Sequence, residues 1–168
     1  MLTTDQKGSI AELAIAKAAI ELDIEVYWPM AEGGRYDLIF DVSGRLFRVQ
    51  SKWAPRYGET IVVRCCRARR NRDGLVHRRY VPTEIDAFAA YCPELDRCYF
   101  LPIEDFPYRR QIQLRLGPPR NNQRLLINWA KDYEFAARLG WSGAVAQLGE
   151  RDAGSVEAAG SSPAGSTR

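Results

Sequence analysis

Three side chains of types that carry phosphoryl chemistry fall on one predicted β-hairpin. Asp37 stands near the start of a strand predicted over residues 36–42, and Gln50 and Lys52 stand near the end of its partner over 45–53. Ser43-Gly44 between them predicts a tight turn, so the two strands are antiparallel neighbours. Residues two apart on a strand share a face, so Gln50 and Lys52 point the same way, and the pairing brings Asp37 within reach of them. A carboxylate beside a second oxygen ligand suits a hard cation, Mg²⁺ first and Mn²⁺ as its substitute, held against a phosphate. A neighbouring lysine can orient or deprotonate the attacking water and offset phosphoryl charge. Glu12, on the helix predicted before the hairpin, adds a second carboxylate. Plain amphipathic alternation is the competing explanation, and the apolar Phe47 and Val49 occupy the other face of the same strand.

The elements that must position these residues follow from periodicity. Ile10, Leu13, Ala14, Ala18 and Leu22 recur at helical spacing, with Ser9 as a cap and Glu12 at the capping-box position. A short strand over 24–28 stops at Pro29, and Gly33-Gly34 turns the chain into the hairpin. Another strand is predicted over 59–64. Residues 85–91 and 98–101 read as a second hairpin turning at 92–96. Residues 126–139 read as a closing helix, with Trp129, Tyr133 and Ala136 on one face. The expected class is α/β or α+β, a mixed β-sheet flanked by helices, one on each side. Trp28, Trp53, Trp129 and Trp141 are core candidates, and Trp53 could instead wall the site.

The chain of 168 residues has 46% hydrophobic and 27% charged residues, an ordinary globular balance. Its four cysteines, Cys65, Cys66, Cys92 and Cys98, form no CxxC pair, and His77 is the sole histidine. Zinc fingers, zinc ribbons and HNH-type sites need more ligands than that. No apolar run is long enough to span a bilayer, and Asp5 and Glu12 interrupt any signal-peptide pattern. The expected compartment is the reducing cytoplasm, at the nucleoid, with the cysteines as free and mostly buried thiols. Cys92 and Cys98 flank a turn without an expected disulfide, and Cys65-Cys66 reads as packing.

The net charge of +3 conceals a strong asymmetry. The stretch RCCRARRNRDGLVHRR holds seven arginines, at 64, 67, 69, 70, 72, 78 and 79, against the single Asp73. Arg64, Arg67, Arg69, Arg70, Arg72, Arg78 and Arg79 are therefore candidates for gripping nucleic-acid phosphates, which guanidinium binds bidentately. A second basic patch contains Arg109, Arg110, Arg115, Arg120 and Arg124. Asn121, Asn122 and Gln123, after Pro118-Pro119, could read adenine edges. Residues 1–141 form the expected domain. Residues 142–168 are rich in Gly, Ser and Ala with no aromatic residue, and are expected to be disordered. Within that tail VAQLGER and GSSP resemble a translated transfer-RNA gene, its D-arm and T-arm in turn, which implies reading-frame run-off.

Across KGSIAELAIAKA, RYDLIFD, RLFRVQSKW, EIDAFAAYCPELDRCYFLPIED, PPRNNQ and INWAKDYEF the chain resembles the PD-(D/E)XK nuclease superfamily. The resemblance is to its branch of intron-encoded homing endonucleases and related reading frames. It implies a restriction-endonuclease-like core and Mg²⁺-dependent hydrolysis of phosphodiester bonds in double-stranded DNA. It also implies that Glu12 matches the helix-one glutamate, Asp37 the metal-binding aspartate and Lys52 the motif lysine. Tyr36 stands where the motif has proline, and Gln50 stands where it has a second acid. An amide oxygen can ligate a metal but adds no charge, so a QxK site should hold its metal more weakly. The alternative is therefore a catalytically inactive nuclease fold that binds nucleic acid. One such site cuts one strand, so double-strand cleavage requires a homodimer or homotetramer.

Overall fold

The structure, a computed structural model, describes residues 1–31, 33–72, 74–118 and 125–140, with backbone alone over 67–71 and 75–77. Helix α1 spans Thr4–Ile20, longer at its N-terminus than the apolar spacing predicts. The cap is Thr3, not Ser9: Thr3 Oγ1 accepts from Gln6 N and Gln6 Oε1 accepts from Thr3 N. This reciprocal box satisfies two helix-end donors. Ser9 lies inside the helix and donates to the carbonyl of Asp5.

Strands β1 (Glu25–Tyr27), β2 (Leu38–Val42) and β3 (Arg45–Trp53) form an antiparallel meander. Ser43 (φ 56°) and Gly44 (φ 85°) both take the left-handed conformation of a two-residue hairpin turn. Asp41 closes the turn by accepting from Gly44 N at 2.8 Å. The predicted second hairpin is β8 (Ala87–Cys92) and β9 (Arg97–Pro102). Strand β8 pairs parallel with β3, giving a mixed five-stranded sheet in the order β1-β2-β3-β8-β9. Four consecutive residues of β8, Ala87 to Ala90, are buried, as expected of a strand covered on both faces.

A parallel pair needs a long crossover, and here it carries four further strands. Between β3 and β8 come β4 (Arg56–Tyr57), β5 (Thr60–Arg64), β6 (Cys66–Asn71) and β7 (Gly74–Arg79). Strands β4, β5 and β10 (Gln111–Arg115) make a separate three-stranded sheet that the sequence pattern does not reveal. The arginine-rich stretch forms a two-stranded hairpin of β6 and β7.

Two cores result. Ala11, Ile15 and Ala19 of α1 pack with Leu38, Phe40, Val49, Ala87, Ala89 and Phe100 on one sheet face. Ile61, Val63, Ile112 and Leu114 of the small sheet pack with Phe88, Ala90, Tyr99 and Leu101 on the other. The expected closing helix is reduced to a 3-10 turn, Ala130–Tyr133, and the five-residue α2, Phe135–Leu139. Phe135 and Leu139, rather than Trp129 and Ala136, are its fully buried residues besides Ala130. Both helices thus lie on the same face, and the small sheet stands where a helix was expected on the other. Among the described tryptophans none is fully buried, and Trp28 is exposed. No described helix is long and apolar enough to cross a membrane.

Candidate active site

Register and pleat converge on Asp37. Leu38 pairs with Val49, so Asp37, one residue before, stands across from Gln50. Its backbone N–H donates to the Val49 carbonyl at 2.9 Å, which holds it at the mouth of the hairpin. The carboxylate then reaches over β3: Asp37 Oδ2 accepts from Gln50 Nε2 and from Ser51 N, the latter at 2.9 Å. Gln50 is buried, at 7% exposure, so its polar head depends on that partner.

Gln50 and Lys52 register against Phe88 and Ala90 of β8, both members of the core beneath the small sheet. They therefore share the face opposite Val49, as alternation predicts. Lys52 Nζ lies 3.5 Å from Tyr80 Oη and 4.8 Å from the centroid of its ring. Tyr80 is 7% exposed and stands edge-on to Phe88, at 5.4 Å and 86°. The sequence does not single out Tyr80; its one signal is its place immediately after the arginine-rich stretch.

Glu12 approaches from the helix layer. Burial first, and the negative charge of Asp37 second, push its carboxyl above the ordinary carboxylate range. That coupling brings Glu12 into the same electrostatic field as Asp37. Among the described residues no three His, Cys, Asp or Glu side chains gather as a metal cluster. The donors present are two carboxylates and an amide. All are oxygen ligands suited to a hard divalent ion.

Strand β3 is locked to β8 just before the site. Arg48 Nε and Nη2 donate to Asp86 Oδ2 and Oδ1, both at 2.9 Å, and Arg48 N adds a bond of 2.7 Å to Oδ2. Burial pushes the Asp86 carboxyl up, but these bonds outweigh it and hold the group below the usual range. Trp53 does not wall the site. It packs with the helix-side core, edge-on to Tyr91 at 5.9 Å.

Burial pushes Cys65 and Cys98 up to about 12 and Cys92 up to about 11, so none is a ready thiolate. Cys92 belongs to one core and Cys98 packs against the other, and both are free.

Arg64, Arg72, Arg78 and Arg79 are exposed around the β6–β7 hairpin. Arg67, Arg69 and Arg70 lie on β6, where only the backbone is described, and the same holds for His77 on β7. Asn121, Asn122, Gln123, Arg120, Arg124 and the tail from Trp141 onward lie outside the described residues.

The sequence model of the PD-(D/E)XK endonuclease family matches residues 2–136, which spans α1, the hairpin and both sheets. The chain belongs to the PD-(D/E)XK endonuclease family. Comparison with curated proteins finds no match. Among solved structures the chain is similar to a bacterial homing endonuclease, I-Ssp6803I. Identity is 29% and the TM-score 0.69, over 92% of this chain and 100% of that one. For a PD-(D/E)XK endonuclease the two departures now have a structural setting. Tyr36 packs beside the core under the small sheet, and Gln50, which the motif resemblance sets against a second acid, is bonded to Asp37.

Proposed function

We propose that this endonuclease hydrolyses phosphodiester bonds of double-stranded DNA with a divalent cation, Mg²⁺ or Mn²⁺, in the manner of a homing endonuclease. The observation that carries the reading is the gathering of Asp37, Gln50 and Lys52 at one end of the hairpin, with Gln50 and Lys52 on one face and the charge of Asp37 acting on Glu12. The similarity to I-Ssp6803I supports DNA as the substrate.

Asp37, the Gln50 amide oxygen and Glu12 would hold the metal. A divalent ion held there would supply Lewis-acid chemistry to the phosphate and would make water a better nucleophile. The amide nitrogen of Gln50 now faces Asp37. Rotating the amide would present its oxygen beside the carboxylate, an arrangement that only a cation between them makes favourable. Lys52 Nζ orients the attacking water and offsets the charge that builds on the phosphoryl oxygens. The aromatic face of Tyr80 favours the charged ammonium and fixes its direction.

The exposed arginines of the β6–β7 hairpin supply phosphate contacts that release counterions. A single site addresses one phosphate, so double-strand cleavage calls for a homodimer or homotetramer. Nicking of supercoiled plasmid by the purified chain with Mg²⁺ or Mn²⁺, absent in EDTA and in Asp37→Ala, is the expected result. Light scattering of the same sample reads the assembly.

A second reading has one observation in its favour. Gln50 donates its amide to Asp37 as the structure stands, which neutral pairing requires and metal binding opposes. A nuclease fold that binds nucleic acid without cutting would then bind duplex and leave plasmid intact under every metal.

A further inference from the structure

Glu84 is 6% exposed, a carboxylate taken almost wholly out of water. A buried carboxylate persists as a charge only when paired. Its partners come from two separate segments. Arg35 Nη1 lies 3.5 Å from Glu84 Oε1, and Arg78 Nη2 donates to the same oxygen. The backbone of Glu84 is fixed by its N–H donating to the Val81 carbonyl at 2.9 Å.

The exposures of the three partners differ sharply. The guanidinium side chains are 65% and 69% exposed while the carboxylate that joins them is buried. A guanidinium carries five donors in a planar fork. The bond to a single carboxylate oxygen occupies only part of each fork, and the exposed remainder faces solvent. The trio carries one net positive charge, presented as two adjacent forks.

Its place in the chain matters as much as its charge. Arg35 stands two residues before Asp37, and Arg78 two residues before Tyr80, the partner of Lys52. Glu84 therefore ties the segment that delivers Asp37 to the strand that delivers Tyr80. Resting on the reading that the substrate is duplex DNA, we propose that Arg35 and Arg78 form a clamp for a backbone phosphate next to the scissile one. Glu84 is the positioning residue that sets the two forks side by side. Two exposed forks held side by side on one carboxylate suit a tetrahedral oxyanion better than a base edge.

Removing both arginines would strand the Glu84 charge, so the test starts from Glu84→Gln as its reference, whose amide oxygen can still accept from both guanidiniums and keep the forks side by side. Binding of a labelled duplex in Ca²⁺ is read against salt concentration for that reference, for its Arg35→Ala/Arg78→Ala derivative and for its Arg35→Lys/Arg78→Lys derivative. The alanine derivative is expected to bind every sequence more weakly. Its slope of log affinity against log salt should flatten by about 0.9 for each phosphate that the clamp no longer neutralises. The lysine derivative keeps the charge and is expected to keep the slope while losing affinity, because an ammonium lacks the fork. Circular-dichroism melting of each variant reports folding. An alanine derivative that is folded and keeps the slope and affinity of its reference overturns the clamp. Wild-type protein that binds no duplex overturns the DNA reading instead, and binding without plasmid nicking overturns only the cleavage reading.

Discussion

The Lys52 ammonium sits 4.8 Å from the ring centroid of Tyr80, a residue delivered by the far end of the arginine-rich hairpin. The ring is held edge-on by Phe88, which itself registers against Gln50. Lys52 is thus held against a residue from the crossover rather than one of its own strand. A desolvated cation–π contact is worth about 1–2 kcal/mol, and 1.4 kcal/mol is about tenfold in rate. Tyr80→Leu is therefore expected to lower kcat about tenfold with KM nearly unchanged. Tyr80→Phe, which keeps the ring, should stay within about twofold of wild type. Steady-state nicking kinetics check both, and a Leu variant with wild-type kcat would refute the role.

Asp37 and Lys52 are expected to be indispensable for cleavage. Lys52→Ala should lose about 10²–10⁴ in rate, the range for a positioned proton-transfer group, and Asp37→Ala should show no cleavage. Both should retain duplex binding in Ca²⁺ measured by fluorescence anisotropy.

Gln50→Glu tests the substituted position. The new carboxylate would face Asp37 where an amide now donates, and two like charges repel without a cation. The metal-free variant is expected to melt below wild type, and Mg²⁺ should restore it by mass action. Cleavage should persist with half-saturation at a lower Mg²⁺ concentration. Equal melting temperatures with and without Mg²⁺ would argue against a metal between these residues.

Glu12 gives a pH signature. Its folded pKa is raised, so the folded state resists its ionisation and loses stability as pH climbs through that window. Glu12→Gln removes this cost. Its melting temperature is expected to exceed wild type at pH 7 and to approach it in acid, where both states hold the proton. Cleavage should fall in the same variant, so stability and activity move in opposite directions.

Asp86 has the opposite sign. Its folded pKa is depressed, so its bonds to Arg48 contribute above the unfolded value of about 3.9 and are lost as pH falls through the folded value. Asp86→Ala should cost about 1–3 kcal/mol at pH 7, the range for hydrogen bonds to charged groups. The difference should shrink in acid. Chemical denaturation at pH 7 and pH 3 measures it.

Truncation after Trp141 is expected to leave melting temperature and nicking unchanged, following the composition of residues 142–168. A large loss of either would give the tail a structural role.

The sequence alone determined the hairpin and which of its side chains meet. Alternation and the Ser43-Gly44 turn carry their own geometry, because a two-residue turn fixes register and register fixes which side chains meet. Asp37, Gln50 and Lys52 were legible for that reason, and the helix of Glu12 was legible from apolar spacing. The cap moved from Ser9 to Thr3 because both are capping residues and only the reciprocal bond with Gln6 selects one. The small sheet was not legible, since β5 and β10 pair across a gap that no local period encodes. The closing helix failed because the chain around Trp129 is drawn into a bridge with Arg115, leaving one short helix after it. Tyr80, Glu84 and Arg35 gain their places only from tertiary structure. The parallel pairing of β3 with β8 folds the intervening crossover back over the site, and nothing in their own neighbourhoods of sequence announces that return.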